Sequence, residues 1–177
     1  MNLKKFLPFE NYVLTTSLSP DEVYKCLSDC LEPKQVRFIA FFKTYATKPY
    51  EGEISGNAFS INRIINYQNS FLPMINGYVS TFAGQTQIEI TMKPATIVLV
   101  FVSFLLGISG LVSISMLLFA LPQISQIMKT GFSPLFLIPF IMFIVVCFLT
   151  YIGFKPESKK SKEFLATLFN GQEKLIY

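Results

Sequence analysis

The sequence predicts an α+β fold: an antiparallel sheet with a helix on its N-terminal side and an amphipathic helix at its C-terminal end, interrupted by a transmembrane helical hairpin. Three observations predict it. Residues 95–128 and 130–154 carry no charge. The residues before them alternate apolar and polar side chains between Gly-containing turns, and those after them repeat apolar side chains at helical spacing. Composition agrees, because 51% hydrophobic content, a mean hydropathy of +0.47 and only 15% charged residues in 177 are too apolar for a soluble domain of this size.

The opening residues 1–10 are basic at Lys4 and Lys5, but Pro8 and Glu10 interrupt any apolar core, so they do not read as a secretory signal. Residues 9–17 alternate and are rich in Tyr, Val and Thr, a strand signature. A helix then begins with Ser19 as N-cap, Pro20 in the first turn and Glu22 closing a capping box. Val23, Leu27 and Cys30 or Leu31 fall on one face of it, and Pro33 is expected to stop it. Strands are expected at 36–45, 50–55, 58–67, 74–82 and 85–92, giving six with the first. Gly56-Asn57 and Ala83-Gly84 mark two tight hairpins, with Gly and Asn supplying positive φ.

Residues 95–119 are long enough to cross a hydrocarbon layer of roughly 30 Å as a helix, and residues 135–154 supply about the 20 positions a second crossing needs. The connector, residues 120–134, holds only Lys129, whereas Lys93 precedes the first span and Lys155, Lys159, Lys160 and Lys162 follow the second. By the positive-inside rule the connector is extracytoplasmic and both termini are cytoplasmic, in a multi-pass protein of the cell inner membrane. Residues 1–92 then form the main part of one cytoplasmic α+β domain and residues 155–177 complete it. In the last helix Ser161, Phe164, Leu165, Leu168 and Phe169 share a side opposite Lys159, Lys160, Lys162 and Glu163. That side fits either the sheet or the lipid surface; the sheet is the better cover, since it otherwise lacks one. The order of elements resembles the helix-grip folds, with the hairpin inserted before the last helix.

Gly52, Phe59-Ser60-Ile61-Asn62-Arg63, Tyr67, Asn69-Ser70-Phe71-Leu72-Pro73, Gly77 and Thr86 together resemble a family of small bacterial two-span membrane proteins of unknown activity, over about residues 17–154. The resemblance implies no catalytic residue.

With no His in the chain, the commonest general base and metal ligand near neutral pH is missing. Cys26 and Cys30 share a helix face, but no second pair completes a four-ligand site, and Cys147 lies in the second span; no metal and no cofactor are expected. Asp21, Asp29, Glu32, Glu51, Glu53 and Glu89 show no spacing that forces a catalytic pair, so no catalytic residue is assigned. The net charge of +4 is too dispersed for a nucleic-acid partner. Polar side chains are densest at residues 63–77. There Arg63 is placed to pair an anionic ligand with Asn66 and Asn69 orienting it, or else Arg63 anchors a turn and Asn69–Pro73 forms an Asx-type turn that dips an aromatic toward the bilayer. In the first span Ser103, Gly107, Gly110 and Ser113 form a small-residue face for helix packing, with the second span or with another copy in a homo-oligomer.

The partners expected are therefore the lipid bilayer and an unknown small molecule or protein. The leading expectation is a non-enzymatic integral membrane protein with a cytoplasmic ligand- or partner-binding domain. A second reading is an oligomerising, membrane-perturbing effector or pore of a bacterial defence system, and a third is a membrane-bound enzyme acting on lipid.

Overall fold

A computed structural model describes residues 7–33, 47–123 and 134–174. The chain divides into a sheet unit, Met1–Ala95 with Gly153–Tyr177, and a hairpin unit, Thr96–Ile152. The fold class is α+β, as the sequence predicts. The elements are β1 (Glu10–Thr16), α1 (Pro20–Cys30), β2 (Leu31–Pro33), β3 (Tyr50–Ser55), β4 (Ala58–Arg63), β5 (Met74–Phe82), β6 (Gln85–Lys93), α2 (Thr96–Ala120), α3 (Ile138–Leu168) and β7 (Gln172–Lys174). They build a seven-stranded sheet in the order β2-β3-β4-β5-β6-β1-β7. All pairings are antiparallel except β2 with β3.

Local chemistry explains most boundaries. Ser19 caps α1 with both halves of the capping box formed. The helix stops at Cys30, three residues before the expected Pro33, because Leu31 turns extended (φ −102°, ψ 131°) and is buried as the first residue of β2. Pro33 contributes indirectly, since the residue before a proline is held extended. The expected strand at 36–45 lies outside the described residues. In the β3–β4 hairpin Gly56 alone takes a positive φ, 55°, and Asn57 does not share it; Ala83 (50°) and Gly84 (78°) both do so in the β5–β6 hairpin. β4 ends at Arg63 rather than at 67, and the Ile64 N–H donates to the Pro49 carbonyl at 2.9 Å as the chain leaves the sheet.

One sheet face is covered. Tyr12 and Leu14 of β1, Phe59 and Ile61 of β4, Ile75 and Val79 of β5, and Ile88, Ile90 and Met92 of β6 pack in one core cluster with Val23 and Leu27 of α1 and with Phe154, Leu165 and Phe169. The C-terminal part of α3 therefore lies on the sheet, and Ser161 is fully buried with it. Phe164 and Leu168 are half-buried at the margin of this contact. The other face is polar: one register row across it reads Asn11, Thr91, Asn76, Ser60 and Glu53. This alternation of apolar and polar faces is the period of two expected for a sheet covered on one side.

Gly77 faces Phe59 across β4 and β5, and a Cβ there would run into the Phe59 ring. Gly77→Ala is expected to destabilise the sheet unit by about 1–3 kcal/mol through overpacking, read as a lower thermal midpoint in detergent, while Phe59→Leu on the same background recovers part of the loss.

Two corrections concern the C-terminal region. The sequence separates a second span ending at 154 from a later amphipathic helix, yet α3 runs unbroken through Pro156. The chain also adds a strand that the sequence reading lacks. Asn170 adopts φ 46° after α3, with Gly171 N–H donating to the Ala166 carbonyl at 3.0 Å and Asn170 N–H to that of Thr167 at 3.2 Å. This Schellman-type stop reverses the chain into β7 against β1.

In the hairpin unit, α2 and the N-terminal part of α3 are long and apolar enough to cross a membrane. Of the predicted small-residue face, Ser113 is buried and a Cβ on Gly110 would touch Phe143 at 3.7 Å, whereas Ser103 is exposed and Gly107 faces open space. Ser109, absent from the predicted face, is buried instead. Ser109, Ser113 and Thr150 each donate their hydroxyl to a carbonyl of the preceding turn, which satisfies polar groups in an apolar setting.

Candidate functional site

Arg63 is the last residue of β4 and follows Phe59 and Ile61 on the covered face, so its guanidinium reaches α3. There Nη1 pairs with Glu157 Oε2 at 2.5 Å. Glu157 is nearly buried, with a side chain 6% exposed, and its other oxygen takes Lys160 Nζ at 2.9 Å. The Tyr67 hydroxyl lies close enough to interact with the same carboxylate. Burial alone raises the pKa of Glu157, but the interactions with Tyr67 and Lys160 and the charges of Arg63 and Lys160 outweigh it and hold the carboxyl below its ordinary value. Tyr67 is pushed up in turn, chiefly by its interaction with Glu157.

Six residues on, Asn69 holds the same helix by its backbone. Its Nδ2 donates to the Gly153 carbonyl at 2.8 Å while its Oδ1 accepts from the Phe71 N–H at 3.0 Å. The second bond is the Asx turn expected of Asn69–Pro73. The aromatic it places, Phe71, packs on Gly153, where a Cβ would lie 2.7 Å from the ring. The contact holds α3 just before Pro156. A proline has no N–H for the carbonyl four residues back, and its ring pushes that turn open, which weakens the neighbouring bond as well. The carbonyl left without its donor is that of Ile152; the Gly153 carbonyl next to it accepts from the Asn69 amide. Asn69→Ala is expected to cost about 0.5–1.5 kcal/mol, the net worth of one hydrogen bond, and to speed amide exchange around 153–157.

Next to this clamp lies an open cleft of about 380 Å³, lined by Glu51, Asn62, Arg63, Tyr67, Asn69 and Ser70 and walled by Ile64, Ile65, Leu72, Met74 and Ala95. Of the three residues proposed from sequence, Arg63 and Asn69 line it, and Asn66 is exposed and does not. Glu51 and Asn62 belong to it because the β3–β4 register sets them side by side, which requires pairings that the sequence does not display. Glu157 was open to detection. It lies four residues before Ser161 and eight before Leu165, on the buried stripe of the helix, and a carboxylate there demands a cationic partner.

Lys155, Lys159 and Lys162 are also paired. Lys155 meets Glu10 at 2.6 Å, Lys162 meets Glu173 at 2.5 Å and lies 4.6 Å over the Tyr12 ring, and Lys159 stands 3.9 Å from Glu163 at the surface. Cys26 and Cys30 are half-buried free thiols on α1, and burial pushes Cys30 away from the reactive thiolate. Among the described residues no group of three or more His, Cys, Asp or Glu is arranged to hold a metal. Comparison with protein-family models, with curated proteins and with solved structures finds no match to the chain.

Proposed function

We propose that the chain is a non-enzymatic membrane protein whose sheet unit binds a small molecule in the β4–β5 cleft and passes its occupancy to α3. The observation that carries this reading is that Arg63, Tyr67 and Asn69 serve twice, as lining of the cleft and as the contacts that hold α3 at Gly153 and Glu157. An occupant that moves any of them changes the support of the helix that continues into the second apolar segment. In this reading the protein is one of the small bacterial two-span proteins that its motif resembles, with α2 and residues 135–154 in the inner membrane and the sheet in the cytoplasm. The absence of His and of a carboxylate pair leaves binding as the chemistry this set of side chains does best.

Ser70 lies exposed at the cleft, so Ser70→Trp fills it without disturbing the core. A small molecule released on denaturing the purified wild type, and missing from Ser70→Trp of equal thermal midpoint, is the expected result by mass spectrometry. A wild type that releases nothing above the purification blank counts against the reading. The topology has its own check: reporters active only in the cytoplasm are expected to work at both termini, and one active only outside should work when inserted near Lys129. External activity at either terminus would sink the orientation.

A further inference from the structure

The end of the sheet unit at which the chain passes to and from the hairpin carries a surface that the cleft does not use. We propose that this end, with Leu7, Phe9 and Lys93, rests on a bilayer surface containing anionic phospholipid: the two apolar side chains sit in the headgroup layer and the Lys93 ammonium meets the headgroup charge. The inference rests on the membrane placement of α2 and of residues 135–154 proposed above, and not on an occupant of the cleft.

Strand register places these residues together. Glu10 pairs with Met92, so the chain enters β1 from Phe9 where β6 reaches its last residue, Lys93. Lys93 pairs in turn with Met74, and the loop that leads into Met74 holds the Gly153 carbonyl through Asn69. Ala95 and Gly153 are the residues at which the chain passes between the sheet unit and the hairpin unit. Both crossing points therefore lie at the Lys93 end of the sheet. The β5–β6 hairpin, with Phe82, marks the other end, about 27 Å away along β6 at the usual rise per residue.

The side chains there suit a lipid surface. Leu7 is 56% exposed and Phe9 46%, and Tyr67, in the loop between β4 and β5 at the same end, is 52% exposed. Single exposed apolar side chains are ordinary, but these stand beside the points where the chain turns into helices apolar enough to cross a membrane, the level at which aromatic side chains gather. Charge points the same way. Lys155 is paired with Glu10, and Arg63 and Lys160 share Glu157, whereas Lys93 makes no ion pair among the described residues. Glu51, three strands away in the same register row, has a contact of its own. The sequence adds Lys4 and Lys5 just ahead of Leu7. An anionic headgroup supplies the missing countercharge, and a lysine stem lies along apolar surface while its ammonium stays at the phosphate level.

The chain has no tryptophan, so a single introduced indole reports its own surroundings. The test reconstitutes the full chain in vesicles of phosphatidylcholine and phosphatidylglycerol, one or the other brominated near the headgroup end of its acyl chains, since bromine quenches an indole only at close range. Phe9→Trp is expected to be blue-shifted and quenched, Leu111→Trp, exposed on α2, to be quenched as the marker of a crossing helix, and Phe82→Trp to be neither. Leu7→Trp repeats the measurement should Phe9→Trp not fold. Titrating each brominated lipid against Phe9→Trp should give phosphatidylglycerol an advantage of about fivefold, the effect of one lysine beside an anionic surface, and adding Lys93→Gln should bring the two lipids level. An unquenched Phe9→Trp beside a quenched Leu111→Trp overturns the proposal and leaves the membrane reading standing; no quenching at either position removes both. A blue-shifted but unquenched Phe9→Trp would put protein, such as a second copy, on this surface and overturns the proposal too. So does quenching of Phe82→Trp as strong as that of Phe9→Trp, or equal quenching of Phe9→Trp by the two lipids with no change on Lys93→Gln.

Discussion

Leu165→Ala combined with Phe169→Ala is expected to unfold the sheet unit while the hairpin helices persist. Both side chains are fully buried, against the same cluster as Ile61, Ile75 and Ile90. Truncating a core Leu removes about 2–5 kcal/mol and a core Phe about 3–5, against a total stability of roughly 5–15 kcal/mol for a domain of this kind. The two residues are one helical turn apart and share a cavity, so their losses will not simply add; even the smaller values together reach the lower bound of that stability. The loss is specific to residues after the hairpin, which makes it a test of whether the chain before α2 folds without them. In detergent, limited proteolysis should cut residues 7–95 of the double variant rapidly, and far-UV circular dichroism should retain the signal of α2 and the apolar part of α3. Digestion at the wild-type rate would mean that the C-terminal helix is dispensable to the sheet.

The reasons this helix was legible, and its route was not, are physical. Ser161, Leu165 and Phe169 recur at helical spacing, and an apolar stripe beside a one-sided sheet has few places to go. The same local reasoning found the Ser19 capping box and both hairpin turns. Pro156 reads as a break because a proline disrupts an isolated helix; here a side chain distant in sequence, Asn69, holds the turn before it through the Gly153 carbonyl. Tertiary support of this kind leaves no local trace. β2 is hidden for a related reason, since three residues form a strand only through parallel pairing with Tyr50–Gly52. β7 did leave a sign in Asn170-Gly171, a pair suited to a left-handed helix stop. As for the cleft, Arg63 and Asn69 stand out as polar residues in an apolar stretch, whereas Glu51 and Asn62 become neighbours only once register is fixed.

Glu157→Gln is expected to lower stability at neutral pH by about 3 kcal/mol, near the low end for breaking a buried ion pair because Arg63 keeps some contact with water. For the sheet unit this is a fall in thermal midpoint on the order of 10 °C. The sign of its pH dependence follows from the lowered pKa of Glu157 in the folded chain. A carboxyl whose folded pKa is depressed contributes stability that is fully present above its unfolded value and lost as pH falls through the folded value. The gap between wild type and Glu157→Gln should therefore be constant from about pH 8 to 5 and close progressively below about pH 4, where the unfolded glutamate takes up its proton first. Arg63 supplies the companion experiment. The observed contact is a single Nη1–Oε2 bond, so Arg63→Lys, which keeps a charge without the planar fork, should restore much of what Arg63→Ala loses. A Glu157→Gln midpoint equal to wild type at pH 7 would show that the pair does not hold α3. Full loss in Arg63→Lys, together with loss of a bound molecule, would show that the fork geometry serves a ligand as well as the helix.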